Sequence, residues 1–380
     1  MRWKIMLSDI DLGDEEINSV LNVLKSKWLS MGKVTKKFEE KFAEYLGVKY
    51  AFAVSSGTAA LHIACRALNI GVGDEVILPA LTFVATSNAV LYCGAKPVFA
   101  DITSTQNFNI SPDDILEKIS SRSKAIIVVH YGGYPCDMKA ILDIAEDYKL
   151  KVIEDSAHAI GAEYNGTKCG TIGDVGCFSF FANKNLVTGE GGMIVTDDRN
   201  LAEKISVLRS HGMTTLTWDR FKGHSYTYDV VDLGYNYRLT ELASALGIVQ
   251  LKKLDRNNKK REKLVSKYKK LLRNLPLEIP FKKFVGKSSY HIFPILLNEA
   301  VNRFEFMDYL SHRGIQTSIH YRPVHLFTYY RKTFGFKEGM LPKTEYVGSH
   351  EVTLPLHPLM CEEDIQYISD VISSFFNSSL

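Results

Sequence analysis

The sequence predicts an α/β protein: a mainly parallel, seven-stranded sheet lying between helices, followed by a smaller C-terminal α+β part. Two observations carry this. From about Lys49 onward, seven short Val/Ile/Phe-rich runs alternate with segments whose apolar residues recur at helical spacing. After Leu239 that alternation stops and a long, charged helical pattern begins. Strands that are apolar almost throughout are buried on both faces, as in a parallel sheet covered by helices.

The strand-like runs are, in order, YAFAVSS, EVILPA, KPVFADI, AIIVVHY, KVIEDSA, GCFSFF and GGMIVTD. Between them, TAALHIACRALNI, DMKAILDIAEDYKL and LAEKISVLRSHGM carry the helical period, and GVGDEV, NGTKCG and TGEGG punctuate turns. HGMTTLTWDRFKGHSYTYDVV, from His211, is Gly- and aromatic-rich without a period and reads as a long loop, a kind of segment that is often functional. TELASALGIVQLKKLDRNNKKREKLVSKYKKLLRNL then reads as one long helix ending before Pro276. Two β-like pieces, SYHIFPILL and IQTSIHYRP, flank the helix-like RFEFMDYLSHRG. The expected division is a large domain over residues 1–250 and a small one over 251–380.

Composition excludes several classes of function. The 380 residues hold 46 Lys+Arg against 43 Asp+Glu, a net charge of +3, which gives no basis for nucleic-acid binding. The basic run KKLDRNNKKREKLVSKYKK is read as the solvated face of its helix. No stretch of about 18 apolar residues suggests a membrane span, and the acidic N-terminus lacks the apolar core of a signal peptide, so a cytoplasmic protein is expected. Cys65, Cys93, Cys136, Cys169, Cys177 and Cys361 are scattered singly, with no CxxC spacing. They read as reduced thiols, neither a disulfide framework nor a zinc site.

Three strand ends carry chemistry. In SSGTAALHIA a strand gives way to a helix through Ser, Gly and Thr. Unpaired N–H groups and the dipole at a helix N-terminus bind anions, and Gly57 and Thr58 would let a phosphate approach. Simple N-capping by Ser56 or Thr58 is the competing reading. In KVIEDSAHA an apolar strand delivers Asp155 at its carboxyl edge, where open α/β sheets bind ligands. Asp155 could pair with a protonated ring nitrogen, with His158 one turn on, or it could cap a helix. In FSFFANKNLVTGEGG a lone lysine, Lys184, follows Ser179 and an apolar run. A lysine so placed suits a job that needs its amine, such as condensing with an aldehyde cofactor. Pyridoxal 5'-phosphate requires a lysine, a phosphate cup, an acid for its pyridine nitrogen and an aromatic plate, and Phe83 in ALTFVATSNAV could be that plate.

Over nearly its whole length the chain resembles the sugar aminotransferases of the DegT/DnrJ/EryC1/StrS family, fold-type I pyridoxal-phosphate enzymes. The resemblance runs through KWLSMGKVTKKFEEKFAEYLGVKYAFAVSSGTAALH, GDEVILPALTFVATSNAVLYCGAKPVFADI, VIEDSAHAIGAEYNGTKCGTIGDVGCFSFFANKNLVTGEGGMIVT, LGYNYRLTELASALGIVQLKKL, IHYRPVH and SHEVTLPLHP. It implies that Lys184 is the Schiff-base lysine, which some relatives replace with histidine to become dehydratases. It further implies that Asp155 holds the pyridine nitrogen, that Gly57, Thr58 and Ser179 contact the phosphate, and that Phe83 stacks where some members carry tryptophan. His158 stands where relatives have Gln, Glu or His near the phenolic oxygen; a capping role is its alternative. Asn236 aligns with an asparagine that reaches the phosphate of the other subunit, which implies a homodimer with shared active sites; otherwise it fixes its own turn.

The resemblance also implies an amino-acid donor, L-glutamate, and a keto-sugar nucleotide acceptor. Trp28, Ser30, Arg238, His320, Tyr321 and His325 are the candidate acceptor contacts, although HYRPVH could be only a strand end and a proline turn. Its two histidines lack a third ligand nearby, so no metal is expected. NKNLVTGEGG is similar to members acting at the C4 keto group of 4-keto-6-deoxy sugar nucleotides, GDP-perosamine synthase among them. The readings that compete are a 3-keto-sugar nucleotide or keto-cyclitol aminotransferase, a fold-type I lyase, and a noncatalytic regulator on the same scaffold.

Overall fold

A computed structural model describes residues 3–215 and 227–378. Residues 216–226, in the middle of the expected long loop, lie outside the described residues. The seven expected strands form one sheet: β1 Tyr50–Val54, β2 Glu75–Pro79, β3 Lys96–Ala100, β4 Ser123–Val129, β5 Lys151–Asp155, β6 Val175–Ser179 and β7 Gly192–Thr196, in the order β1-β7-β6-β5-β4-β2-β3. Every pairing is parallel except the two made by β7, which runs against both its neighbours. The carboxyl ends of β1, β5 and β6 therefore share one edge, and Asp155 stands in register with both Cys177 and Val129.

Both faces of this sheet are covered, which is why its strands read as continuous apolar runs. The helices concerned are α1 Asp14–Ser26, α2 Lys33–Leu46, α3 Gly57–Ala67, α4 Ala85–Tyr92, α5 Pro112–Lys118, α6 Met138–Asp147 and α7 Arg199–Leu208. Alternate residues of one strand go to opposite sides: Val76 and Leu78 pack with Ile63 and Ala64 of α3, whereas Ile77 packs with Ile141 and Ile144 of α6. On the second side Phe38 and Phe42 of α2 close over Phe178 and Phe180 in edge-on and tilted contacts.

The long helix α8, Glu241–Leu272, is capped by Thr240, whose Oγ1 accepts the Ala243 N–H at 3.3 Å. It crosses the expected domain boundary without a break. Leu254 belongs to the core under the main sheet, while Leu264, Val265, Tyr268 and Leu272 pack with the C-terminal part. There β8 Leu277–Glu278, β9 Phe293–Leu297 and β10 Glu351–Leu354 form a small antiparallel sheet, with α9 Arg303–Ser311 between the last two in sequence. SYHIFPILL thus supplies a strand, but IQTSIHYRP does not. Ser318 alone exchanges backbone bonds with Thr353, at 2.9 and 3.2 Å. Two residues later the His320 N–H turns to the Glu351 carboxylate at 2.7 Å instead of a backbone carbonyl, so the ladder ends.

Candidate active site

α3 begins where β1 ends. The Ser56 Oγ accepts the Ala59 N–H at 3.1 Å and caps the helix, leaving the other N–H groups of the first turn without intrahelical partners. Gly57 is required by a close approach: a Cβ on it would lie 2.8 Å from the Ser179 Cβ. The helix N-terminus is thereby seated directly against the end of β6, with its positive dipole end toward Ser179.

Asp155 closes β5 and is buried. Its Oδ2 accepts from Thr86 Oγ1 at 2.8 Å and its Oδ1 from the Ala157 N–H at 3.2 Å. Burial raises its pKa; these two bonds and the Lys184 charge oppose the rise. No helix starts at Asp155, so the capping alternative is gone.

Lys184 lies on the turn after β6. The next residue, Asn185, anchors that turn: its amide donates to Asn258 Oδ1 of α8 and to the Ser289 carbonyl, both at 2.8 Å, and its Oδ1 lies 3.0 Å from His291 Nδ1. Burial lowers the Lys184 pKa to about 8, partly offset by Asp155. An amine with that pKa is an accessible base near neutrality.

A cavity of about 530 Å³ joins these strand ends. It brings together Lys184, Asp155, Gly57, Thr58, Ser179, Phe83 and His158 with two of the expected acceptor contacts, His320 and Tyr321. Phe83 is 59% exposed, an aromatic residue open at the cavity. His158 is buried, which keeps it neutral by lowering its pKa well below the ordinary value. Its Nδ1 accepts the Gly132 N–H at 3.3 Å. The ring proton therefore sits on Nε2, which donates to the Tyr321 hydroxyl oxygen at 3.0 Å. His320 is likewise held neutral, with burial pushing its pKa down to about 3.

The other expected residues lie elsewhere. His325 is buried outside the cavity, with Nε2 3.0 Å from Glu345 Oε1 and its ring beside Phe99. Asn236 pairs with Ser210, Arg238 pairs with Val54 and donates to Ser210 Oγ at 3.2 Å, and neither lines this chain's cavity. Trp28 and Ser30 precede α2 and also lie outside it. Yet the 28–30 loop and the 236–238 segment are tied together. Buried Glu241 takes the Gly32, Val34 and Thr35 N–H groups at 2.9, 2.9 and 2.7 Å, and its own N–H donates to the Leu29 carbonyl at 3.0 Å.

Sequence reasoning missed Thr86, Asn185, Glu241, Glu351 and Thr353. Thr86 had a signal, standing one helical turn after Phe83; Asn185 sat beside the lysine unremarked. Among the described residues no group of three or more His, Cys, Asp or Glu side chains could hold a metal, and no helix is long and apolar enough to cross a membrane.

The family profile of the DegT/DnrJ/EryC1/StrS aminotransferases matches residues 10–373. The spore coat polysaccharide biosynthesis protein SpsC of Bacillus subtilis is 42% identical over 367 residues, covering 95% of this chain and 94% of that protein. The candidate sugar aminotransferase Spr1654 of Streptococcus pneumoniae, solved in its PMP form, superposes with a TM-score of 0.93 at 29% identity, covering 99% of this chain and 100% of that one. Helicobacter pylori PseC, an aminotransferase involved in the biosynthesis of pseudoaminic acid, superposes with a TM-score of 0.90 at 33% identity, covering 98% and 99%.

Proposed function

The chain belongs to the DegT/DnrJ/EryC1/StrS aminotransferase family and is a sugar aminotransferase; on that premise we propose that it moves the amino group of L-glutamate to the C4 keto group of a 4-keto-6-deoxy sugar nucleotide. One observation carries the reading: the Lys184 amine and the Asp155 carboxyl share a cavity with the N-terminus of α3.

Those residues fit pyridoxal phosphate. The glycine at position 57 leaves open the space at Ser179 that a Cβ would fill, so backbone N–H groups and two hydroxyls, Thr58 and Ser179, can receive a phosphate. Asp155 lines the same cavity, oriented by Thr86, and would hold a proton on the ring nitrogen. Phe83 supplies the aromatic face. When bound, pyridoxal phosphate supplies an aldehyde that exchanges with amines and a ring that withdraws electrons from the carbon being deprotonated.

The chain's own groups do the rest. Lys184 Nζ removes the α-proton of the donor amino acid, and in the second half-reaction it handles the proton at the sugar carbon that gains the amine. Its lowered pKa suits it to both directions, and a positioned base of this kind contributes roughly 10²–10⁴-fold. Asp155 would keep that nitrogen cationic, an effect of about one to three pKa units for a close opposite charge. His320 and Tyr321 meet the acceptor sugar at the C-terminal wall.

Trp28, Ser30, Asn236 and Arg238 are assigned to the cavity of a second copy in a two-fold dimer. Their position outside their own chain's cavity supports this, as does the single structural unit that Glu241 makes of their two segments. The resemblance of SpsC to this chain supports a place in polysaccharide biosynthesis.

The test offers the purified enzyme L-glutamate and a panel of 4-keto and 3-keto nucleotide sugars, reading product by mass spectrometry. A 4-amino sugar is expected. A 3-amino product or an aminated cyclitol overturns the choice of carbon, and no aminated product from any acceptor overturns the reading.

A further inference from the structure

We propose that Glu351, acting through Thr353, decides which ring nitrogen of His320 carries the proton, and so whether the cavity's C-terminal wall offers a hydrogen-bond acceptor or a donor to the substrate. The inference rests on His320 being an acceptor-sugar contact, as above.

The three side chains form a directed chain. Glu351 is fully buried at the start of β10. Its Oε2 accepts the His320 backbone N–H at 2.7 Å, and its Oε1 is bonded to the Thr353 hydroxyl. Thr353 Oγ1 in turn lies 2.8 Å from His320 Nδ1. His320 lines the cavity that holds Lys184, and with Nδ1 turned to Thr353 its Nε2 is the nitrogen left for a ligand.

A threonine hydroxyl has one proton to give. When Glu351 is ionised it can only accept, so Thr353 donates to it. The Thr353 oxygen must then accept from His320 Nδ1–H, and Nε2 is a bare acceptor. When Glu351 is protonated, the proton sits on Oε1, because Oε2 already faces an N–H donor. Oε1–H then donates to Thr353, Thr353 donates to a bare Nδ1, and Nε2 becomes an N–H donor. His320 stays neutral in both states.

Glu351 titrates within reach of ordinary buffers, since burial raises its pKa to about 8, against the pull of Thr353, the His320 N–H and Arg303. The charged and titratable groups around the chain are Arg303 of α9, which reaches the Glu351 carbonyl at 3.5 Å, Tyr131, bonded to the His320 carbonyl, and Tyr321; on the cavity side Lys184 acts on His320, and His320 in turn on His158 and His291.

The test is ¹⁵N NMR of the imidazoles in protein labelled at histidine, with the His320 signal assigned from His320→Gln. In the wild type, Nε2 is expected to move from the N–H to the bare-nitrogen position as pH rises from about 6.5 to 9.5. Glu351→Gln keeps the shape but must present its NH₂ to Thr353, so Nε2 stays N–H across the whole range. Thr353→Val breaks the chain and abolishes the pH response, and Thr353→Ser restores it. A single His320 tautomer at all pH values in the wild type overturns the proposal, as does an unaltered response in Glu351→Gln or Thr353→Val. The readout needs no turnover. An absent switch in an enzyme that still aminates a keto sugar removes this inference alone, and a failure to aminate any keto sugar removes the functional reading instead.

Discussion

Asp155 and His320 line the same cavity, but they are held there in different ways. Asp155 is the last residue of a strand paired on both sides, and its place follows from backbone register. His320 belongs to no strand. It is held by side chains 31 and 33 residues further along the chain, the Glu351 carboxylate and the Thr353 hydroxyl. The sheet end presents groups on a rigid backbone frame, which suits chemistry that never varies. A wall hung on a polar network can be altered by changing one partner, which suits the part of the site that meets a variable sugar.

By that contrast, damage at the sheet end is the most severe. Lys184→Ala is expected to abolish amino transfer, with at least the 10²–10⁴-fold owed to proton transfer lost outright; retention of more than a few per cent of wild-type kcat would refute its role. Asp155→Asn comes next. Losing an interaction of one to three pKa units corresponds to about 1.4–4 kcal/mol, a fall of tenfold to about a thousandfold in the glutamate half-reaction. Because Thr86 and the Ala157 N–H remain to position the side chain, the fold should survive, which thermal unfolding can verify.

Gly57→Ala is smaller in kind. The new Cβ would meet Ser179 at 2.8 Å, and overpacking of this sort costs about 1–3 kcal/mol. Its cost should fall on the phosphate end, weakening pyridoxal-phosphate binding about tenfold or more by equilibrium titration, and Ser179→Gly in the same chain should recover part of it. An alanine variant with unchanged affinity would mean that α3 and β6 do not form the cup.

The same contrast explains what could be read from the residues alone. The seven strands, α3, α8 and the cluster at the sheet end were legible because each rests on local pattern: apolar runs, turn residues, and a polar side chain immediately after a strand. Asp155 and Lys184 stood out because a charge at the end of an apolar run has few structural uses. Glu351 was invisible because the sequence SHEVTL places it as an ordinary acid entering a strand; only the fold brings His320 and Thr353 to it. IQTSIHYRP reads as a strand for the same reason, since its alternation is real but a side chain intercepts the backbone bond at His320. His325 was read beside His320 as an acceptor contact, yet it turns away to Glu345. Trp28, Ser30, Asn236 and Arg238 could be named from the resemblance, but not that Glu241 joins their segments.

The mildest test bears on the wall itself, through stability. Glu351 has its folded-state pKa raised from 4.5 to about 8 by burial. Below about pH 4.5 it is protonated in both the folded and unfolded chains, and its contribution is fully present. As pH rises from there to about 8, the unfolded chain gives up the proton while the folded chain keeps it, so stability falls, by at most about 1.4 kcal/mol per pH unit. Above that range both forms are ionised and the slope vanishes. Glu351→Gln cannot titrate and must lack this component. In urea denaturation at pH 6, 7 and 8, the difference in unfolding free energy between wild type and variant is therefore expected to shift in favour of the variant by about 1 kcal/mol per pH unit. At pH 9 and 10 it should stay level. A difference that is flat from pH 6 to 8 would mean that the carboxyl is ionised throughout, fixing His320 in one tautomer and making the wall as rigid as the sheet end.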